Sequence, residues 1–397
     1  ICLQKERLYI GLNKIDKAGM EIEHLIEAFP EEPRYYGMLA ELYQANNMNE
    51  KALETYKKLL VIDPENALVH LSLADYYRST GDKEKSFSEL KTAFSSPALN
   101  IDTKVNILLS YYKITEFAVE LKEQALALCD ILTKTHPVEA KSYAMYADFL
   151  ARDKRYEEAR VQYRKALIYD KSKFAIWQQI LSIDSELHDF ESLERESSEA
   201  LELFPSQPLF YLFNGIANIQ LGHHQKAIHS LDQGVSMVAG DSLMLSQFYS
   251  NIGDSYHASK DEKASDIAYE KSLEHDSNNA FVLNNYSYYL SVRKERLDKA
   301  KIMAKKANEL LPDNNSFQDT YGCVLYQLNE FEEAEKWLIK AITNGGDQKG
   351  VVLEHYGDVL YRLGENDKAI EYWEKAKKQG GGTDLLEKKI EGKKLIE

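Results

Sequence analysis

The chain is poor in the residues that crosslink and interrupt proteins. Three cysteines, Cys2, Cys129 and Cys323, are spread over 397 residues. None pairs as CxxC, which excludes a zinc ribbon or a thioredoxin-like redox motif. Cys129 falls on the apolar stripe of its segment and is expected to pack there. Only 8 prolines occur, which leaves room for long helical stretches. No run reaches the roughly eighteen apolar residues of a membrane helix. Basic residues are in deficit as well, 49 Lys and Arg against 64 Asp and Glu, a formal charge of −15. Such a surface repels phosphate backbones and argues against nucleic acid as the partner. No signal peptide is legible, but Ile1 begins partway through a structural unit, so a further segment upstream is expected.

The chemistry-bearing motifs are also missing. No GxGxxG, GxxxxGKS, HExxH, GxSxG or EF-hand loop is present. His223, His224 and His229 form the densest histidine group, but they lack the i, i+4 spacing that puts two ligands on one helix face. They read as turn and surface histidines. Acid pairs such as Glu31-Glu32, Glu157-Glu158 and Glu332-Glu333 read as solvated faces, with no pocket to shift their pKa values. No catalytic residue, cofactor or metal ligand is expected, and the chain is read as non-enzymatic.

What the chain does have is a repeat of about thirty-four residues. The cleanest copy is RYYGMLAELYQANNMNEKALETYKKLLVIDPEN, residues 34–66. SYAMYADFLARDKRYEEARVQYRKALIYDK (142–171) and VVLEHYGDVLYRLGENDKAIEYWEKA (351–376) follow it closely. Complete units are expected at 33–66, 67–100, 102–138, 140–173, 174–207, 208–241, 246–279, 280–314, 315–348 and 350–379. Each holds two amphipathic stretches, A and B. In the first unit Leu39, Leu42 and Tyr43 mark the apolar stripe of A, and Ala52, Tyr56, Leu59 and Leu60 that of B. Gly81, Gly222, Gly364, Asn47 and Asn329 stand between A and B, where a left-handed residue ends a helix. Small residues such as Ala40, Ala147, Gly253, Gly322 and Gly357 recur where the two helices must approach closely. The 96–107 stretch, with Pro97, has weak periodicity and is expected to pack loosely. The domain reading is a truncated repeat at 1–32, a tandem array at 33–379 and, after Gly380-Gly381-Gly382, a charged C-terminal capping helix at 383–397. A unit of this length buries its apolar face only against its neighbours, so the fold class is an all-α solenoid of about ten complete helix-turn-helix repeats.

These residues resemble the tetratricopeptide repeat superfamily along nearly the whole chain. LNNYSYYLS (283–291), DTYGCVLYQL (319–328) and EHYGDVLYRLGENDKAIEYWEKA (354–376) are similar to the C-terminal block of bacterial envelope proteins of this class, many of them lipoproteins. In that block the position held here by Cys323 is usually tryptophan. The resemblance implies a right-handed superhelix whose A helices line a concave groove, a surface that mostly binds peptides or protein segments. The groove-facing residues would include Asp254, Asn284, Tyr288, Tyr326, Asp358 and Tyr361, the expected ligand-binding set. Tyrosine offers large contact area with a hydroxyl, Asn hydrogen-bonds a peptide backbone, and Asp pairs with Lys or Arg. The expected partner is therefore a protein or extended peptide carrying basic residues, within a multiprotein complex. Three roles fit: an interaction scaffold or adaptor, a periplasmic and lipid-anchored assembly factor of a bacterial envelope machine, or the regulatory array of a larger enzyme. The expected location is the periplasm or outer membrane of a bacterium, with the cytoplasm as the alternative.

Overall fold

The apolar stripes of the sequence become helices. A computed structural model of the chain describes residues 1–114 and 120–396. Among the described residues no strand occurs and helices follow one another throughout. The N-terminal unit, Ile1–His188, contains α1 (Cys2–Gly11), α2 (Ile15–Ala28), α3 (Pro33–Ala45), α4 (Asn49–Ile62), α5 (Ala67–Ser79), α6 (Lys83–Ser95), α7 (Ile101–Ile114), α8 (Glu120–Thr135), α9 (Ala140–Arg152), α10 (Tyr156–Tyr169) and α11 (Phe174–Glu186). The C-terminal unit, Asp189–Glu397, contains α12 (Phe190–Leu203), α13 (Pro208–Gln220), α14 (His224–Met237), α15 (Ser242–Ala258), α16 (Glu262–His275), α17 (Ala280–Arg293), α18 (Leu297–Leu310), α19 (Asn315–Gln327), α20 (Phe331–Thr343), α21 (Gly350–Arg362), α22 (Asn366–Gln379) and α23 (Leu386–Gly392). The centre of the expected 102–138 unit, 115–119, and the last residue of the cap lie outside the described residues.

Within each unit a helix packs on the next and the pairs stack on one another. In the C-terminal unit α13 pairs with α14, α15 with α16, α17 with α18, α19 with α20 and α21 with α22, and the A helices α17, α19 and α21 also touch in sequence. Several helices start on side-chain caps. Asn66, Asp82, Asp189, Asp241, Asp261 and Asn279 each accept from a backbone N–H three residues on, satisfying one of the orphan donors of a first turn. The A–B links take the left-handed conformation at Gly81, Gly222, Gly364, Asn47 and Asn329, as expected, but also at Lys154, His188 and Lys260. Lys154 and Lys260 have no side-chain signature for that conformation, so the turn there is imposed by the packing of the two helices it joins, α9 on α10 and α15 on α16.

The A–B contact is close. A side chain on Gly253 would meet the Tyr269 ring at 2.7 Å, one on Gly322 would meet Leu338 at 2.7 Å, and one on Gly357 would meet Trp373 at 2.5 Å. Cys129 is buried as expected, and burial pushes its thiol pKa up. Two expectations are corrected. The 96–107 stretch is anchored at two buried positions: Leu99 is buried, and Lys104 is enclosed, its Nζ donating to the Ser96 carbonyl and to His136 Nε2, both at 2.8 Å. Desolvation lowers the Lys104 pKa to about 8. The C-terminal segment is helical only over Leu386–Gly392. Thr383 is diverted into side-chain contacts with α21, and Lys393 ends the helix in the left-handed region at φ 48°.

Glycine substitutions will separate tight from open positions. Gly357→Ala forces the Trp373 ring aside and should cost about 1–3 kcal/mol. Gly37→Ala, in a helix with nothing within 4 Å of the added carbon, should add about 0.5–1 kcal/mol. Thermal melts of the two variants should move in opposite directions. A Gly357→Ala melt at or above the parent's would contradict this packing.

Candidate interaction face of the C-terminal unit

The face is built on a dipeptide that recurs in the A helices, a small residue followed by a polar one. Where the B helix presents a large ring to the small residue, the ring buries its polar tip, and a buried donor needs an acceptor. The next A-helix residue supplies it. Tyr163 Oη donates to Asp148 Oδ1 at 2.6 Å, Tyr269 Oη donates to Asp254, and Trp373 Nε1 donates to Asp358 Oδ1 at 2.9 Å, each donor fifteen residues after its acceptor. Burial raises the pKa of Asp148, Asp254 and Asp358, with these hydrogen bonds pulling against it in the first two and Lys389 opposing it at Asp358.

The six residues expected to bind a partner are thus placed as a row along consecutive A helices, in unequal states. Asp254, on α15, is committed to Tyr269, whose ring stacks on Tyr286 at 5.3 Å. Asn284, on α17, is buried. Its Nδ2 donates to Asn285 Oδ1 at 3.1 Å, and its own Oδ1 has no partner. Tyr288, one turn on, is half-buried, and burial raises its pKa, with His355, Cys323 and Asp319 close enough to act on it. Tyr326, on α19, is half-buried and accepts from Arg362 Nε at 3.2 Å. Asp358 and Tyr361, on α21, converge on the Trp373 indole, against which the Tyr361 ring stacks at 5.8 Å.

Sequence reasoning missed the occupant of Asp358. Lys389, on α23, is buried and directs its Nζ between Glu354 Oε1, at 2.8 Å, and both Asp358 oxygens, at 2.7 and 2.8 Å. Glu354 also accepts from the Thr383 backbone N–H at 2.5 Å and its hydroxyl at 2.6 Å. Burial works against the Glu354 charge, but Lys389 and Thr383 outweigh it and hold its pKa below the ordinary value of 4.5. The signal was in the register. Asn284/Tyr288, Asp319/Cys323 and Glu354/Asp358 are pairs one helical turn apart, at equivalent places in α17, α19 and α21. The third pair is filled by the chain's own lysine.

A second group was missed for the same reason, that its members come from different repeats. Asp319 and Cys323 on α19 meet His355 of α21, whose Nδ1 lies 2.9 Å from Asp319 Oδ1 and 3.1 Å from Cys323 Sγ. Burial raises the Cys323 pKa, and burial at His355 is outweighed by its two neighbours, which raise the imidazole well above its ordinary value. In this pair of helices the residue opposite Gly322 is Leu338, which has no polar tip, so Cys323 has no ring donor to satisfy.

The repeat geometry is matched by what the chain is similar to. The model of the tetratricopeptide repeat family matches residues 33–66 and 246–279, which are α3–α4 and the α15–α16 pair. These two stretches match the tetratricopeptide repeat, and the helix pairs between and after them repeat the same local build. No curated protein sequence matches it. Among solved structures it is similar to Cut9–Hcn1, an APC/C hetero-tetramer (12% identity, 98% of this chain and 88% of that one, TM-score 0.47), to yeast Tom70 (15%, 98% and 93%, TM-score 0.42) and to YrrB, described as a TPR protein with an unusual peptide-binding site (13%, 58% and 97%, TM-score 0.39). At these identities and TM-scores nothing about partner or activity passes from them to this chain.

The Lys389 contact is open to test. Lys389→Met leaves Glu354 and Asp358 buried without their cation, and breaking such a pair costs about 3–5 kcal/mol. Amide exchange across Leu386–Gly392 should then accelerate strongly, whereas Lys377→Met, which removes the exposed pair to Glu387, should leave it nearly unchanged. Equal exchange in the parent and Lys389→Met would show that the ammonium does not hold the helix down.

Proposed function

We propose that the protein is a non-enzymatic adaptor that binds an extended protein segment along the A helices α17 and α19 of its C-terminal unit. The observation that carries this reading is the chain's own C-terminal segment. Thr383 and Lys389 lie on α21 as a bound segment would, with backbone and hydroxyl donors on Glu354 and an ammonium between two carboxylates. The face therefore has the chemistry to take a polypeptide with a basic residue. Tetratricopeptide repeats bind proteins and peptides, which agrees with this use.

The end of the face is covered by the cap, so the partner engages α17 and α19. There Tyr288 and Tyr326 supply half-buried aromatic surface. Buried aromatics dominate binding energy at interfaces, typically at about 2 kcal/mol or more each. Preference for lysine or arginine comes from the net charge of −15, which speeds encounter with a basic segment.

The test uses the partner recovered by affinity capture with the full chain. Tyr288→Ala combined with Tyr326→Ala should weaken its binding at least about tenfold with helicity retained. Ile302→Lys, on the exposed side of the B helix α18, should leave it unchanged. Loss of binding with Ile302→Lys alone would assign the interaction to the B-helix side.

A further inference from the structure

We infer that Asp319, Cys323 and His355 form a binding site for a single zinc-class divalent cation. The three side chains offer a carboxylate oxygen, a sulfur and an imidazole nitrogen, with all donor atoms within 4.8 Å of one another. Among the described residues no other such group occurs. Asp319 and Cys323 stand one turn apart on α19, so their side chains leave the helix in one direction. His355 reaches back to them from α21, which packs on α19.

The donor chemistry selects the ion. A thiolate and an imidazole are soft and borderline ligands, which suit zinc and its neighbours and not magnesium or calcium. Tetrahedral zinc holds nitrogen, oxygen and sulfur at about 2.0–2.3 Å, which places its donors roughly 3.3–3.8 Å apart. The Oδ1–Nδ1 and Sγ–Nδ1 separations of 2.9 and 3.1 Å reach that triangle by opening less than about 1 Å. The ion takes the place of the protons that now lie between Nδ1 and its two neighbours. One carboxylate and one thiolate balance its two charges, so an ion at this half-buried place leaves no net charge to desolvate. The absence of a ring donor opposite Gly322 matters here, because Cys323 is left free of the duty that Asp254 and Asp358 perform.

Three protein ligands leave one tetrahedral position open. Cys323 and His355 are half-buried. Tyr288, on the neighbouring helix α17, is near enough for all three groups to act on its hydroxyl. Water fills the fourth position in the free protein, and a donor side chain of a segment crossing Tyr288 can replace it.

The metal-free full chain, titrated with Co2+ in place of zinc, provides the test. One equivalent should bind and give a thiolate-to-cobalt charge-transfer band, bleached by equimolar Zn2+ and untouched by Mg2+. Cys323→Ser should abolish the band, and His355→Gln should weaken Co2+ binding at least about tenfold, with circular dichroism confirming that both variants remain helical. Cys2→Ser should change nothing. The inference is overturned if Co2+ binds without a thiolate band, if the band survives both Cys323→Ser and His355→Gln, or if no stoichiometric binding occurs. In each of these cases the cluster is a hydrogen-bonded ion pair between two repeats.

Discussion

Everything in this chain follows from the close approach of two helices within a repeat. A helix pair has too little surface to bury its own apolar face, so it must be thin enough to stack on the next pair. Thinness requires a small residue on helix A opposite a large one on helix B, as with Gly253 against Tyr269 and Gly357 against Trp373. The large residue is often aromatic with a polar tip, and burying that tip demands an acceptor. The carboxylate that answers it is the residue after the small one. The polar row on the A helices is therefore first a by-product of packing.

That order of causes explains what the face can do. Asp254 is consumed by its tyrosine and has little left for a partner. Asp358 accepts from its tryptophan and still receives Lys389, because Glu354 one turn earlier shares the ammonium. Where the B-helix residue is Leu338, the demand vanishes, and Asp319, Cys323 and His355 gather instead. Variation in one B-helix side chain thus changes the chemistry offered on the A-helix side.

The helix pairs were legible from period, stripe and turn residues, since each is a local consequence of sequence. The buried positions of Cys129, Ala147, Gly253 and Gly357 followed from the same register. The side-chain state of the face was not. Asp254 and Asp358, expected to pair with Lys or Arg, each answer an aromatic donor fifteen residues on, a spacing visible in the sequence but meaningful only once the A–B geometry is known. Lys389 was unreadable because its partners lie about one repeat earlier across a glycine break. His355 escaped because ligand searches along one helix cannot see a donor from the next A helix. Lys104, in a stretch without clear periodicity, is buried by contacts to Ser96 and His136 that no local pattern announces.

A partner segment lying on the A-helix side of the C-terminal unit, as proposed, would shield that side's backbone amides from solvent. Hydrogen exchange of the full chain, with and without the captured partner, tests it most directly. New protection should be concentrated in α17 and α19, with the B helices α18 and α20 unchanged. Protection confined to α18 and α20, with α17 and α19 exchanging as in the free chain, would contradict it.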